Sequence, residues 1–219
     1  MTRALIMAGG TDAKWGDHLG VRRHFAPVCH ETVITRMIRQ LRARGVTDIG
    51  IIAPDLPGYA IEGTYRIEPT YAEWGHEALN GRAEWSTTGR TIQVYGDVVF
   101  SDKAMDTIAG YRHRVFRAFG RHGRGAIKGG ELFAISFWPE QCVAWEKAQR
   151  LGHELHARGI IKRSGSWEGY RIMGGARKAG VGRHRIYPQI WTEINDGTDD
   201  FDKPLQYEAL IALVAKLGW

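Results

Sequence analysis

The stretch MAGGTDAKWGDHLGVRRHFAPV, residues 7–28, follows a short apolar run and precedes a segment with helical periodicity. It contains a glycine pair and three cationic side chains: Gly9, Gly10, Lys14, Arg22 and Arg23. Backbone N–H groups beside glycine can approach an anion closely, and lysine or arginine can neutralise its charge. The loop therefore predicts a phosphate site, although it matches neither the G-x-x-x-x-G-K-S/T pattern nor the G-x-G-x-x-G pattern.

The segments around this loop alternate between strand and helix. Arg3–Ala8 predicts a first, buried strand. Apolar residues then recur at helical spacing from Val33 to Leu41, and Gly45 is a plausible end of that helix. The apolar run at Asp48–Asp55 predicts a second strand. Strand, helix and strand in this order form a βαβ unit, so we expect an α/β fold with a parallel sheet.

The remaining sequence predicts more elements of the same kinds. Strands are expected at Thr64–Glu68, Thr91–Tyr95 and Glu131–Phe137 and within residues 187–196. Helices are expected at Tyr71–Trp85, Asp102–Gly110 with Ser101 as N-cap, Pro139–Ala157 and Leu205–Leu217. The glycine-rich, basic stretch Gly159–Gly182 fits a hairpin, a mobile flap or an insertion. No repeat or linker divides the chain, so we expect one domain over residues 1–219.

Length and composition fit a globular protein. The 219 residues are 43% hydrophobic, and no apolar run approaches the length of a membrane span. The start does not resemble a signal peptide, because its apolar run is short and Gly9 interrupts it. The two cysteines, Cys29 and Cys142, favour a reducing compartment over a disulfide framework. We therefore expect a cytoplasmic protein without a membrane partner.

Positive charge is concentrated in two stretches of a chain whose formal net charge is +6. Residues 112–128 contain six Lys or Arg and no acid, and residues 158–185 contain eight against the single acid Glu168. Such clustering predicts an anionic partner, either a phosphorylated small molecule or a nucleic acid backbone. A solvated basic face is the simpler alternative for each stretch.

Acidic side chains occur at two places where a metal site can form. Asp97 follows the strand that ends at Tyr95, where open α/β sheets place their ligands. The stretch WTEINDGTDDFD, residues 191–202, supplies further oxygen ligands: Glu193, Asn195, Asp196, Asp199, Asp200 and Asp202. Mg²⁺ prefers such ligands and usually bridges to substrate phosphates, so the two segments predict a shared Mg²⁺ site if they meet. A turn or helix cap is the alternative role for Asp97.

Together these features resemble the nucleotidyltransferases of the GT-A-like α/β fold, which include sugar-1-phosphate nucleotidyltransferases, choline-phosphate cytidylyltransferases and molybdenum-cofactor guanylyltransferases. Members typically read L-A-G-G-x-G-x-R and then P-K-x-L-x-P-V, where this chain has IMAGGTDAKWG and VRRHFAPV. Lys14 is at the position where the family has its loop arginine, and Arg23 is at the position where it has the lysine next to proline. The resemblance extends to GDVVFSD at 96–102, GELFAISF at 130–137 and IWTEIND at 190–196, where relatives often show E-I-D.

The resemblance implies a three-layer α/β/α fold around a mostly parallel, twisted sheet. It also implies a reaction in which a phosphate oxygen of a phosphorylated sugar or small alcohol attacks the α-phosphorus of a nucleoside triphosphate, and pyrophosphate leaves. The residues implied for nucleotide binding are Ala8, Gly9, Gly10, Thr11, Lys14 and Arg23. The catalytic residues implied are Lys14, Arg23 and Asp97. Asp97 would hold Mg²⁺ together with Asn195 or Asp196, and Asp200 is a third candidate.

Two other functions remain open. A glycosyltransferase of the same fold would use a nucleotide sugar and could act on nucleic acid, which fits the basic stretches. Metal-dependent members of that class usually show Asp-x-Asp, whereas Asp97 is followed by two valines. A non-catalytic nucleotide-binding relative would fit the changed residues at Lys14 and Arg23.

Other side chains are assigned simpler roles. The HELH sequence at 153–156 is one residue short of the metalloprotease zinc pattern and fits a solvated helix end. Three histidines are expected at the surface rather than at a substrate: His18, His24 and His30. Trp15 and Trp167 lie in glycine-containing loops, where an aromatic ring could stack on a sugar or base; packing is the alternative for both.

Overall fold

The core of the protein is a seven-stranded β-sheet. The structure, a computed structural model, describes residues 1–70, 79–123 and 130–219. Eleven strands occur in these residues: β1 (Thr2–Met7), β2 (Pro27–Val28), β3 (Glu31–Thr32), β4 (Asp48–Ile52), β5 (Tyr65–Ile67), β6 (Arg90–Tyr95), β7 (Val98–Val99), β8 (Arg117–Arg121), β9 (Glu131–Phe137), β10 (Trp191–Glu193) and β11 (Asp199–Asp200). The main sheet has the order β10-β8-β9-β6-β1-β4-β5. The pairs β2–β3 and β7–β11 form two small sheets.

The strands of the main sheet run in one direction except for β9. Strand β1 is parallel to β4 on one side and to β6 on the other, so that Leu5 is in register with Gly50 and Gln93. Strand β5 is parallel to β4, and β10 is parallel to β8. Strand β9 is antiparallel to both of its neighbours, β6 and β8. The prediction of an α/β fold with a mostly parallel central sheet is confirmed.

Five α-helices occur in the same residues: α1 (Val33–Arg42), α2 (Asp102–Gly110), α3 (Pro139–Ala157), α4 (Ser166–Met173) and α5 (Pro204–Leu217). Thr32 and Ser101 cap α1 and α2, because each side-chain oxygen accepts a bond from a backbone N–H of the first turn. These bonds satisfy donors that a helix start leaves unpaired, and they confirm the expected Ser101 cap. Among the described helices, none combines the length and apolar character that crossing a bilayer requires.

Alternation along β1 sends its side chains to both faces of the sheet. Ala4 and Ile6 pack in one buried cluster with residues of α1 and α2, which are Ile34, Met37, Ile38, Leu41, Ala104, Met105 and Ile108. Leu5 and Met7 pack in another cluster, which includes Trp145 of α3 and Tyr170 of α4. The sheet is therefore the middle of three layers, as the resemblance implies.

The C-terminal helix α5 packs against the first loop. Tyr207 and Val214 of this helix form a buried cluster with Trp15 and Phe201. The Tyr207 hydroxyl donates to the carbonyl of Pro27 at 2.7 Å. The loop that carries the predicted phosphate site and the acidic segment before α5 consequently lie side by side.

Most of the expected elements are confirmed; besides the short strands β2, β3, β7 and β11, which were not expected, the differences fall in three places. Residues 71–78 of the helix expected at Tyr71–Trp85 lie outside the described residues, and the rest of that stretch contains a 3₁₀ turn at Arg82–Glu84. Strand β8 lies in the first basic stretch, where no strand was expected. The stretch Gly159–Gly182 contains α4 and a 3₁₀ turn at Lys178–Gly182 rather than a hairpin.

Candidate active site

A cleft of about 390 Å³ lies beyond the C-terminal end of β6, within the size range of small-molecule sites. Its walls come from the first loop, the turn after β6, the start of β9, residues 163–168 around the start of α4, and residues 200–206. The charged side chains that line it are Lys14, Arg23, Asp97, Glu131, Arg163, Glu168, Asp200 and Asp202. Both signs of charge meet in one concave surface, which makes this cleft the candidate active site.

Asp97 enters the cleft from a tight corner after β6. The Gly96 N–H donates to the Met7 carbonyl at 3.0 Å, and a Cβ atom at Gly96 would lie 2.9 Å from that same oxygen, so glycine lets the corner lie against β1. The Phe201 N–H donates to the Asp97 carbonyl at 3.2 Å, which ties the corner to the acidic segment. Burial raises the pKa of the Asp97 carboxyl above its ordinary value, although the charge of Arg23 opposes this shift.

Arg23 lies among three carboxylates, with only 9% of its side chain exposed. Its Nη1 is 3.0 Å from Asp97 Oδ2 and 2.8 Å from Asp202 Oδ1. Its Nε is 3.5 Å from Asp12 Oδ1, and the second oxygen of Asp12 is 2.8 Å from Arg22 Nε. A guanidinium carries its donors on a rigid plane, so one side chain can hold several acids at once. Arg23 therefore joins the first loop to both acidic segments of the cleft.

Asp202 contacts both cations that the first loop directs into the cleft. Its Oδ1 accepts from Arg23, and its Oδ2 lies 2.5 Å from Lys14 Nζ. Phe201 is fully buried, and the alternation of an extended chain places the acids before and after it, Asp200 and Asp202, in the cleft. Partial burial raises the pKa of Asp202, but the bonds and charges of Lys14 and Arg23 outweigh that effect and leave it below its ordinary value.

The carboxyl groups of Asp200 and Glu131 are buried beside other acids of the cleft. Burial, followed by the charges of Glu131 and Asp97, raises the pKa of Asp200 well above its ordinary value. Burial, followed by the charge of Asp199, raises the pKa of Glu131 to about 7. Carboxylates raise one another's pKa in this way when they are crowded together. The cleft therefore contains a region that would be stabilised by a further cation.

The acids of this region suit a hard divalent cation that also binds phosphate. Across residues 1–70, 79–123 and 130–219, no three His, Cys, Asp or Glu side chains are placed to hold a metal ion by themselves. Mg²⁺ in phosphate-transfer sites usually takes one or two carboxylates and fills its remaining positions with water and phosphate oxygens. Asp97 and Asp200 fit that role, because both are oxygen donors with raised pKa values that line the same cleft.

Asn195 and Asp196, which the resemblance assigns to the metal, do not belong to the lining of this cleft. Asp196 Oδ2 accepts a hydrogen bond from Ser101 Oγ at 2.6 Å, and its Oδ1 accepts from the Thr198 N–H at 2.8 Å. Asp196 therefore supports the cap of α2 and the turn before β11, while Asn195 is exposed. The structure places the third candidate, Asp200, in the cleft with Asp97.

Lys14, Arg23 and Asp97 line the cleft, whereas the start of the glycine loop does not. The residues outside the lining are Ala8, Gly9, Gly10 and Thr11. The Ala8 N–H donates to the Ile52 carbonyl at 2.9 Å, and the Gly10 carbonyl accepts from Arg22 at 2.8 Å. Contacts between these four residues and a nucleotide stay a prediction, as do the catalytic roles of the three lining residues.

The start of α4 forms another wall of the cleft. Trp167 lines this wall and stacks on Trp191 with ring centroids 5.7 Å apart. Glu168 and Arg171 are both buried and form an ion pair of 2.9 Å that fixes the first turn of the helix. Part of the stretch expected to be a flap or insertion therefore belongs to the cleft, and stacking of Trp167 on a ligand stays a prediction.

Burial decides the open question for Trp15 and corrects the expectation for His24. Trp15 is only 2% exposed, and its Nε1 donates to the Val21 carbonyl at 2.7 Å, so it packs in the core and does not offer a face to a ligand. His24 was expected at the surface but is 1% exposed, with Nδ1 2.8 Å from the Tyr59 hydroxyl. Burial, aided by the charges of the neighbouring arginines, lowers the pKa of His24 well below its ordinary value.

The basic stretches make intramolecular contacts that the sequence did not reveal. Arg117 donates to the Trp191 carbonyl at 3.0 Å, and Arg121 pairs with Asp199 at 2.7 Å. Residues 124–129 of the first stretch lie outside the described residues. These contacts give a nucleic acid partner no support.

Asp12 and Glu131 were not assigned to the site from the sequence, and Asp202 was named only among the possible metal ligands, not as a partner of Lys14 and Arg23. For Asp202 a signal existed, because the acid–apolar–acid order around Phe201 places two carboxylates on one side of an extended segment. For Glu131 the signal was an acid at the first position of an otherwise apolar strand. Asp12 offered only its position inside a cationic loop, which does not tell whether it pairs with a neighbour or faces solvent.

The fold of this chain is similar to those of known proteins, whereas its sequence is not. No family model matches the sequence, and no curated protein matches it significantly. A Bacillus anthracis protein assigned as a glucose-1-phosphate thymidylyltransferase, solved with a sucrose, matches with a TM-score of 0.61 at 13% identity, over 97% of this chain and 95% of that one. The CTP:phosphocholine cytidylyltransferase of Streptococcus pneumoniae matches with a TM-score of 0.61 at 12% identity, over 97% and 99%. The chain therefore has a nucleotidyltransferase-like fold.

Proposed function

We propose that this protein is a Mg²⁺-dependent nucleotidyltransferase, which couples a nucleoside triphosphate to a phosphorylated sugar or small alcohol and releases pyrophosphate. One observation carries the proposal: Lys14 and Arg23 line the same cleft as Asp97 and Asp200. Transfer between phosphates needs cations for the phosphate oxygens and carboxylates for the metal, and this cleft supplies both. The similarity of fold to a thymidylyltransferase and a cytidylyltransferase adds support.

In the proposed reaction, an oxygen of the acceptor phosphate attacks the α-phosphorus of the triphosphate. A new P–O bond forms as the bond to the β-phosphate oxygen breaks, and pyrophosphate leaves. The protein contributes position and neutralisation of charge rather than a covalent nucleophile. Arg23 would bind the α-phosphate or the acceptor phosphate from its fixed, buried position. Lys14, with 59% of its side chain exposed, would follow and balance the leaving pyrophosphate.

Asp97 and Asp200 would hold the Mg²⁺ ion. When bound, the ion would offset negative charge on the phosphate oxygens and on both carboxylates. The raised pKa values of the two carboxyls support this assignment, because burial and, for Asp200, the neighbouring acids disfavour the charged carboxylate, which a bound cation would stabilise. Asn195 and Asp196 stay the alternative ligands that the sequence pattern suggests.

Release of pyrophosphate tests the proposal. The protein is incubated with Mg²⁺, each nucleoside triphosphate in turn, and a panel of sugar phosphates and phosphorylated alcohols. We expect release with at least one pair, and a loss of about 100-fold or more in Asp97→Asn, as for the removal of one group that stabilises transition-state charge. Asp196→Asn is the matched control, because it removes a carboxylate outside the cleft. Undiminished release of pyrophosphate by Asp97→Asn would contradict the proposal. An equal loss in Asp196→Asn would instead favour Asp196 as a ligand of the metal.

The two alternative functions give different results with the same protein. A glycosyltransferase would release a nucleoside diphosphate from a nucleotide sugar without pyrophosphate. A non-catalytic relative would bind triphosphate and Mg²⁺ in a calorimeter without any turnover. Either result would replace the proposal.

A further inference from the structure

Asp202 forms ion pairs with both cations that the proposed reaction requires. Its two carboxylate oxygens lie 2.5 Å from Lys14 Nζ and 2.8 Å from Arg23 Nη1. Arg23 is also held by Asp97 and Asp12. A triphosphate that takes the positions at Lys14 Nζ and Arg23 Nη1 that Asp202 now occupies must displace that carboxylate. Binding to this cleft is therefore an exchange of one anion for another.

Two opposing effects decide what happens when this carboxylate is removed. The ion pairs of Asp202 would be lost, but the Lys14 pair is largely exposed and adds little to stability. At the same time Lys14 and one donor group of Arg23 would become available to a ligand. A triphosphate supplies many anionic oxygens, so the second effect dominates for that ligand, because the cations no longer lose a partner when it binds.

We propose that Asp202 is an internal competitor for the triphosphate site: its carboxylate holds Lys14 and Arg23 in place in the free protein and is displaced when the nucleotide binds. This inference rests on the proposed function of the cleft. The Asp202 N–H donates to Gln206 Oε1 at 3.0 Å, so the backbone stays fastened to the start of α5 whether or not the carboxylate is engaged.

Calorimetric titration with inorganic triphosphate, in EDTA and at fixed ionic strength, tests this role. We expect Asp202→Asn to bind triphosphate about five- to tenfold more tightly than the wild type, the size of one or two partly exposed ion pairs. A residue with a merely structural role would weaken binding or leave it unchanged. Asp17→Asn is the matched control, because it removes an exposed carboxylate of the first loop and leaves both ion pairs of Asp202 in place.

An affinity of Asp202→Asn within twofold of the wild type would overturn the proposal. An equal gain in Asp17→Asn would also overturn it, because net charge alone would then account for both. Thermal unfolding verifies that the variants are folded, and Asp202→Ser serves as a second variant if Asp202→Asn is not. Neither metal nor turnover takes part, so this experiment can fail while pyrophosphate is released, and it can succeed where no release occurs.

Discussion

His24 lies between the cationic loop and the corner that carries Asp97. Its ring is buried, its Nδ1 is 2.8 Å from the Tyr59 hydroxyl, and its Cδ2 lies 3.1 Å from the position that a Cβ atom of Gly96 would take. The residue directly after Arg23 is thus packed against the turn that brings Asp97 into the cleft. A proton added to this ring would put a second buried charge beside Arg23.

The pH dependence of stability follows from this burial. Burial and the adjacent arginines lower the pKa of His24 well below 6.5, so the unfolded chain binds a proton that the folded chain excludes. His24 should therefore contribute a fall in the free energy of unfolding as the pH drops below 6.5, at a rate that approaches about 1.4 kcal/mol per pH unit, whereas Glu131, with its pKa raised to about 7, contributes a slope of the opposite sign. Urea unfolding between pH 7.5 and 5.5 measures this slope; these pH limits are about one unit either side of the ordinary value.

His24→Gln should remove this contribution, so that the stability of the variant falls less on acidification than that of the wild type, whatever the substitution does to the stability at neutral pH. His30→Gln is the control, because His30 is exposed and should leave the slope unchanged. An identical slope in the wild type and in His24→Gln would show that another group takes up the proton.

At the residue scale, the sequence predicted the cations of the site better than its acids. Lys14 and Arg23 could be found because cations near a glycine pair after a strand are typical of a phosphate site, and Asp97 could be found from its position after β6. Asp202 pairs with two residues more than 170 positions away. Its partners depend on packing between the first loop and α5, which residue spacing does not encode.

At the scale of elements, α4 lies in the basic, glycine-rich stretch and forms one wall of the cleft. It is held by the buried pair of Glu168 and Arg171, and the Arg171 guanidinium also donates to the Val181 carbonyl at 3.1 Å. Burial raises the pKa of Glu168, although the charges of Arg171 and Arg163 oppose the shift. The helix therefore depends on a charge pair that water does not reach.

Arg171→Met should destabilise the protein by about 3–5 kcal/mol, because it leaves the Glu168 carboxylate buried without its main partner. The double variant Glu168→Gln/Arg171→Met should recover part of that loss, since no buried charge is then left. Arg150→Met is the control: Arg150 and Glu146 form a similar pair of 2.9 Å on α3, but Arg150 is half exposed, and the cost should be below about 1 kcal/mol. The free energy of unfolding in urea gives all three values, and a similar cost for Arg171→Met and Arg150→Met would contradict the account of α4.

The elements that the sequence predicted are those whose own composition determines them. Strands β1, β4 and β9 are apolar runs, and α3 begins at a proline and ends before a glycine. Strand β8 has arginines at both ends, and it forms because β9 and β10 supply its partners. Strand β11 is two aspartates paired with β7. Such elements depend on tertiary contacts and give no periodic signal.

At the scale of the whole molecule, the cleft is assembled from segments that are distant in the chain. Its charged lining reaches from Lys14 to Asp202, and the buried cluster of Trp15, Phe201 and Tyr207 brings these two ends together. The fold class and the region of the site could be predicted, because the βαβ pattern and the strand ends define them. Asp200 lines the cleft, whereas Asn195 and Asp196 do not, because of how residues 196–202 turn, and residue spacing does not encode that turn.

A crystal structure with Mn²⁺ in place of Mg²⁺ and a non-hydrolysable nucleoside triphosphate tests the central claim most directly, because Mn²⁺ is located by its anomalous scattering. We predict one anomalous peak about 2.1–2.2 Å from carboxylate oxygens of Asp97 and Asp200, with phosphate oxygens completing its shell. Lys14 and Arg23 should contact the phosphates in the same crystal. A peak at Asn195 and Asp196, or triphosphate bound away from Arg23, would contradict the account.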